Sequence, residues 1–358
     1  GEWATASEPA LNDALTDLLG APPDETAVLR ARRLFAAVLD ARGGPTIETV
    51  HAFCQSMLRR FPIEAGVAPH FDVSDDRTAQ DEVRAARDTV LRRAGAEPEG
   101  ALADLLQRVT GRVGELAFDD LMRALIAERG RLLRLAETAG GVDGMAEEIR
   151  AALGLPRDAT LAEMMAEGCS DDALDGEGLR SVCAALERGG EADAKRAAAV
   201  RAWLEAPDGR VAGFDAYRSI FFTSTGEIRK TLATKPVLKI LADADAILRA
   251  EAERVQALCG LCNAAAVADA TVALATLAMA QLDVYDERKR RRGILDFDDL
   301  VLRSRHLLES GAAGWVQYKL DGGVDHVLID EGQDTNPDQW AVVEALAGDA
   351  VVSVDTTK

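Results

Sequence analysis

The 358 residues suffice for two or three domains with a sizeable core, and an apolar content of 48% excludes a disordered chain. Aromatics make up only 4% while Ala, Leu and Arg dominate, which favours helices over sandwiches and barrels. A formal charge of −20 argues against non-specific binding to a polyanion, so any nucleic-acid contact has to come from local basic clusters.

In chain order, helical patterns cover residues 11–19 and 26–39, Gly43-Gly44-Pro45 breaks the chain, and a third helix runs from 49 to about 60, where Phe61-Pro62 ends it. From about 77 to 292 the signal is almost all helical. Apolar residues recur three and four apart, as in Leu102, Leu105, Leu106 and Val109, or Leu121, Leu125 and Ile126. A longer helical stretch is expected from about Pro236 to about Arg292, broken near Gly260. After Gly293 the character changes. Asp296-Phe297-Asp298-Asp299-Leu300 opens a helix to about Leu308, and 315–320 continues helical. Residues 324–329 read as a short strand. Asn336 as N-cap, Pro337 at the first helical position and Gln339 closing a capping box start a helix to about Ala347, and 350–354 is a second strand. Strand, helix, strand is a fragment of a parallel α/β sheet.

No apolar run approaches the ~20 residues of a bilayer span, and the N-terminus lacks the basic and apolar regions of a signal peptide. No membrane partner is expected. The five cysteines, an odd count, indicate a reducing cytoplasm, and Cys259-Gly-Leu-Cys262 reads as two thiols in a helix.

Three constellations carry chemistry. The run from His326 through Val-Leu-Ile to Asp330-Glu331 ends a strand in two carboxylates before a polar turn. Asp330 at a sheet edge suits Mg²⁺, and Glu331 suits a base that orients and deprotonates water. Thr49 is a good N-cap that puts His51 in the first helical turn, so a hydroxyl, free N–H groups and an imidazole converge where a phosphate or sugar could bind. Phe53 offers a ring to a base or to the core. Basic residues gather at Arg288-Lys289-Arg290-Arg291-Arg292 and at Arg229-Lys230. Asp296, Asp298 and Asp299 read as dipole complementation, not as catalytic carboxylates.

Asp330-Glu331-Gly332-Gln333-Asp334-Thr335-Asn336-Pro337 resembles the Walker B motif of UvrD/Rep-type superfamily 1 DNA helicases, with Gly332 where the family has Ala or Phe. Tyr285, Lys289 and Leu295-Asp296-Phe297-Asp298-Asp299-Leu300 resemble the segment preceding that motif, at matching spacing. Thr46-Ile47-Glu48-Thr49-Val50-His51-Ala52-Phe53-Cys54-Gln55 is similar to the family's single-strand DNA contact motif. Its continuation from Leu58 to Phe71 looks most like the AddA helicase–nuclease subunits of bacterial double-strand-break repair, with RecB next. Phe222-Thr223-Ser224, Gly226-Glu227 and Arg229-Lys230-Thr231 resemble the AddA helical insertion.

The resemblance implies a mixed α/β, mostly α fold. Part of a RecA-like P-loop NTPase motor domain, at 1–75 and 294–358, is interrupted by a large all-helical insertion at 76–293. In the intact protein it implies ATP with Mg²⁺, single- and double-stranded DNA, a coupled exonuclease and an AddB-like partner subunit. Asp330 would hold Mg²⁺, Glu331 would be the base, and Gln333 would couple phosphate state to domain closure. Thr49, His51 and Phe53 would touch the strand, with Lys230, Lys289, Arg290 and Arg291 as further DNA contacts. The sequence holds no G-x-x-x-x-G-K-[ST], and after Ser353-Val354 it keeps Asp355 but lacks the Gly and Gln of the family's next motif. The expectation is therefore a fragment with the Walker B half of an ATPase site, inactive alone. The alternatives are a DNA-binding helical module or an interaction scaffold with an inactive motor remnant.

Overall fold

The computed structural model describes residues 2–40, 47–157, 159–311, 313–320, 326–330, 332–347 and 351–354. The chain divides into two units, one formed by Gly1–Asp75 with Gly293–Lys358 and the other by Asp76–Arg292.

In the first unit, helices Glu8–Leu19 and Glu25–Asp40 close a small core of Leu11, Leu15 and Ala31. Helix Val50–Arg60 starts at the N-cap Thr49 and buries Cys54, Met57 and Leu58. These pack with Leu300, Val301 and Leu307 of helix Phe297–Glu309, Val316 of helix Ala313–Lys319 and Val342 of helix Pro337–Ala347. Short strands accompany them. Strand β1, Asp72–Val73, pairs in parallel with β2, Ile294–Leu295. Strand β3, His326–Ile329, pairs in parallel with β4, Val351–Val354, in the register His326↔Val351 to Ile329↔Val354. Parallel neighbours need a crossover, and helix Pro337–Ala347 supplies it. The strands expected at 324–329 and 350–354 extend at 324, 325 and 350 onto positions outside the described residues.

The second unit is built along one helix of 49 residues, Ala244–Arg292, about 74 Å long at the usual rise. Its first half places Leu248, Ala252, Val255 and Leu258 in a core with Leu179, Val200, Tyr217 and Phe221. Its second half places Ala273, Leu277, Ala278 and Leu282 in another with Val90, Met122 and Ile126. Tyr217 donates to Glu251 at 2.7 Å, and Arg254 grips the same carboxylate, so the polar groups of the first core are mutually satisfied.

Two sequence expectations are corrected here. The helix is not broken at Gly260. The interruption lies before Ala244, after helix Lys235–Ile240, where Leu241 is extended. A glycine inside a helix costs only about 1 kcal/mol, and burial on both sides of Gly260 outweighs that. Nor is the chain without a long apolar stretch. Ala244–Arg292 reaches a mean hydropathy of 1.6 over 18 residues, enough by length and composition to cross a membrane. Its Ala and Leu residues dilute the scattered polar ones, and many of them line the cores of the unit.

Candidate nucleotide and nucleic-acid site

Strand β3 delivers Asp330 to the carboxyl end of a parallel pair, the edge where open α/β sheets place their ligands. Asp330 is exposed there. A single 3-10 turn, Gly332–Asp334, follows, with Gly332 buried and Gln333 exposed. Glu331 lies outside the described residues. The next helix begins with the expected box. Gln339 N–H donates to Asn336 Oδ1 at 2.9 Å, and Asn336 N–H donates to Gln339 Oε1 at 3.0 Å. On its first turn, Asp338 accepts from Arg305 at 3.0 Å, and Arg305 also pairs with Glu309 at 2.7 Å. The bond to Glu309, assisted by Asp338, holds the Arg305 guanidinium above its ordinary pKa. Helix Phe297–Glu309 thus fastens the segment that follows the acidic turn.

The donor chemistry at Asp330 is the kind a divalent cation takes. A carboxylate oxygen is the hard ligand Mg²⁺ takes, and Mg²⁺ commonly uses one or two carboxylates plus phosphates and water. Among the described residues no three His, Cys, Asp or Glu converge as a closed metal cage. A glycine loop of the form G-x-x-x-x-G-K-[ST] is not in the sequence.

The same unit carries the Thr49 helix. Thr49 Oγ1 accepts from Ala52 N–H at 3.2 Å, so the hydroxyl caps the helix and keeps its own proton for a further acceptor. His51 is half-buried and meets the ring of Phe297 edge-on, with centroids 5.6 Å apart and planes at 79°. Phe297 heads the helix opened by Asp296, whose carboxylate accepts from Asp299 N–H at 2.8 Å while Asp299 accepts from Asp296 N–H at 3.0 Å. Both carboxylates are buried in this reciprocal cap, whereas Asp298 is exposed. Phe53 is half-buried against the core. The contact of Phe297 with His51 has no sequence signature beyond an aromatic ring beside the Asp296 cap, since it joins positions far apart in the chain.

In the second unit the five adjacent cations have separate fates. Arg288 pairs with Glu82 at 2.7 Å, and Arg292 takes the other oxygen of the same carboxylate. Burial pulls the Glu82 carboxyl upward, but the two guanidiniums outweigh it and hold the group below the usual carboxylate range. Lys289 is only 3% exposed, with its ammonium 3.9 Å from the centre of the Tyr285 ring and 3.2 Å from Asp286. Arg290 and Arg291 are exposed, and both pair with Glu287, at 2.9 and 2.7 Å. Lys230 is exposed just past a turn closed by the bridge Phe222↔Ile228, and Arg229 donates back to the carbonyls of Ile220 and Ser219.

The profile of the UvrD/REP helicase N-terminal domain matches residues 29–354. The chain belongs to this family. Shorter stretches match individual helicases. The RecBCD enzyme subunit RecB of Mycolicibacterium smegmatis is 39% identical over 66 residues, 18% of this chain and 6% of that protein. An ATP-dependent helicase/nuclease subunit of Natranaerobius thermophilus is 38% identical over 73 residues, 20% of this chain and 6% of that protein. The ATP-dependent DNA helicase Rep of Escherichia coli is 35% identical over 65 residues, 18% of this chain and 9% of that protein. The aligned stretches therefore span less than a tenth of each relative. Membership in the UvrD/REP family carries the expectation of a RecA-like fold for the first unit, with which the parallel pair β3–β4 and its crossover helix agree.

Proposed function

We propose that this chain is part of the motor of an AddA-like, ATP-dependent DNA helicase–nuclease subunit. The whole protein would act on single- and double-stranded DNA at double-strand breaks in the cytoplasm, with an AddB-like partner subunit. The observation that carries the reading is the joining of two constellations in one unit. Asp330 stands at the carboxyl edge of β3, and the Thr49 helix is seated through His51 on Phe297, whose own helix is fastened to Asp338 beyond the acidic turn. Within this reading Asp330 would hold Mg²⁺, Glu331 would orient and deprotonate water, and Gln333 would couple phosphate state to closure of a neighbouring domain. Bound ATP with Mg²⁺ supplies the free energy for movement. The Thr49 hydroxyl and the imidazole of His51 hold the sugar-phosphate chain. Arg290, Arg291 and Lys230 are the exposed candidates of the second unit for further DNA contact. Lys289, sequestered against Tyr285, is left out of that face.

Positioning of the β- and γ-phosphates carries most of phosphoryl-transfer catalysis. The 358-residue chain, with no glycine loop, is therefore expected to release no phosphate from ATP above background. Steady-state release that disappears in Glu331→Gln would overturn this. Binding of a labelled single strand, followed by anisotropy at low salt, tests the DNA half. Thr49→Ala is expected to weaken it about fivefold, the worth of roughly 1 kcal/mol for one hydrogen bond. Thr49→Ser keeps both cap and hydroxyl and is expected to bind as the parent chain does. Equal affinity in Thr49→Ala, with the fold intact by circular dichroism, counts against the assignment.

A further inference from the structure

We infer that the outward face of helix Ala313–Lys319 is a second contact for single-stranded DNA, separate from the Thr49 motif; this rests on the DNA-binding reading of the first unit. The helix is anchored from inside by Val316, fully buried, and by Leu320 packed against the core. Its other face presents two large rings to solvent. Trp315 is 50% exposed and Tyr318 73%, and the rings are stacked with centroids 6.2 Å apart and planes at 26°. The Lys319 ammonium stands 4.8 Å from the centre of the Trp315 ring. Arg60, at the end of helix Val50–Arg60, donates to the Lys319 carbonyl, and Arg59 beside it leans over the Phe71 ring at 5.6 Å.

Charge selects the occupant. The chain is strongly acidic, and its densest basic run is answered by Glu82, Asp286 and Glu287. Among the described residues no carboxylate pairs with Arg59 or Lys319, whose cations rest on aromatic faces instead. The Lys319 cation beside two exposed rings suits a polyanion with flat apolar groups of its own. Single-stranded DNA is both, because its bases can leave one another and stack on a side chain while cations follow its phosphates. Duplex DNA keeps its bases stacked inside and gains nothing from Tyr318. Thr49 and Arg60 stand at opposite ends of one helix, about 16 Å apart along its axis, so one strand of several nucleotides can reach both.

The test uses the full chain carrying Trp3→Phe and Trp340→Phe, which leaves buried Trp203 and exposed Trp315 as emitters. Titration with an oligo-dT strand is expected to quench the exposed emission. Trp315→Ala and Tyr318→Ala are each expected to weaken binding at least fivefold, the low end of base–aromatic stacking, and Tyr318→Phe to restore it. Lys319→Gln is expected to flatten the salt dependence by roughly one phosphate contact. If oligo-dT binds and Thr49→Ala weakens it, but neither the emission nor the ring variants respond, the patch is overturned and the Thr49 reading stands. If the ring variants weaken binding while Thr49→Ala does not, the patch stands and the Thr49 reading falls. No binding at low salt overturns both. Equal quenching by a poly-glutamate peptide, with oligo-dT inert, assigns the face to an acidic protein partner and overturns the proposal.

Discussion

Glu82 is the residue on which the ends of the second unit converge. One buried carboxylate takes Arg288 on one oxygen and Arg292 on the other, joining the first helix of the unit to the last turns of its longest one. Removing its charge leaves two partly exposed guanidiniums without their partner, where water screens them, so Glu82→Gln is expected to cost about 1 kcal/mol. The pH dependence has a definite sign. The carboxyl is held below its unperturbed value of 4.5 in the fold, so its stabilisation is complete above that value. It is lost as pH falls through the depressed folded value. Thermal melts across the acid range are expected to show the parent chain losing stability there, with a shallower loss in Glu82→Gln. A parallel loss in both would remove Glu82 as a cause. Nothing near Glu82 in the sequence announces this pairing, since its partners stand more than 200 residues away. Lys289 was hidden for a similar reason. A basic run reads as a solvated face, and only packing shows that Lys289 lies over the ring of Tyr285, one helical turn back.

At the scale of the element, caps were the most legible features. Thr49, Asp296 and Asn336 each accept a backbone N–H three residues on, and the last two close reciprocal boxes. Such bonds depend on residues within one turn of each other, so the local sequence suffices to foresee them. Gly260 shows where local reading fails. Taken by itself it weakens a helix, yet the helix passes through it because both halves are buried against separate cores. A Cβ at Gly260 would meet nothing within 4 Å. Gly260→Ala is therefore expected to stabilise the chain by up to about 1 kcal/mol, read as a raised urea midpoint at unchanged slope. An unchanged or lowered midpoint would count against helix propensity as the cost of Gly260.

For the whole molecule, the decisive fact is that Asp76–Arg292 is a compact unit with its own cores, whose last residue Arg292 pairs with Glu82 of its first helix. A segment with complete cores and tethered ends has what a domain needs to fold alone. Expressed by itself, Asp76–Arg292 is expected to be helical and to melt cooperatively by circular dichroism. A non-cooperative melt would show that its cores depend on the remainder of the chain.

Local sequence accounts for the helical character, the caps, and the order of strand, acidic pair, turn and helix around Asp330. Each follows from backbone chemistry acting over a few residues. Its motifs also carried the helicase resemblance, and the match over residues 29–354 establishes the family. The parallel pairing of β3 with β4, the seat of His51 on Phe297 and the reach of Arg305 to Asp338 arise only in the folded chain, through packing. Packing also decides which cations face solvent, separating Arg290 and Arg291 from Lys289. Those outcomes depend on burial and on partners brought together from distant parts of the chain, and neither is written in the spacing of near neighbours.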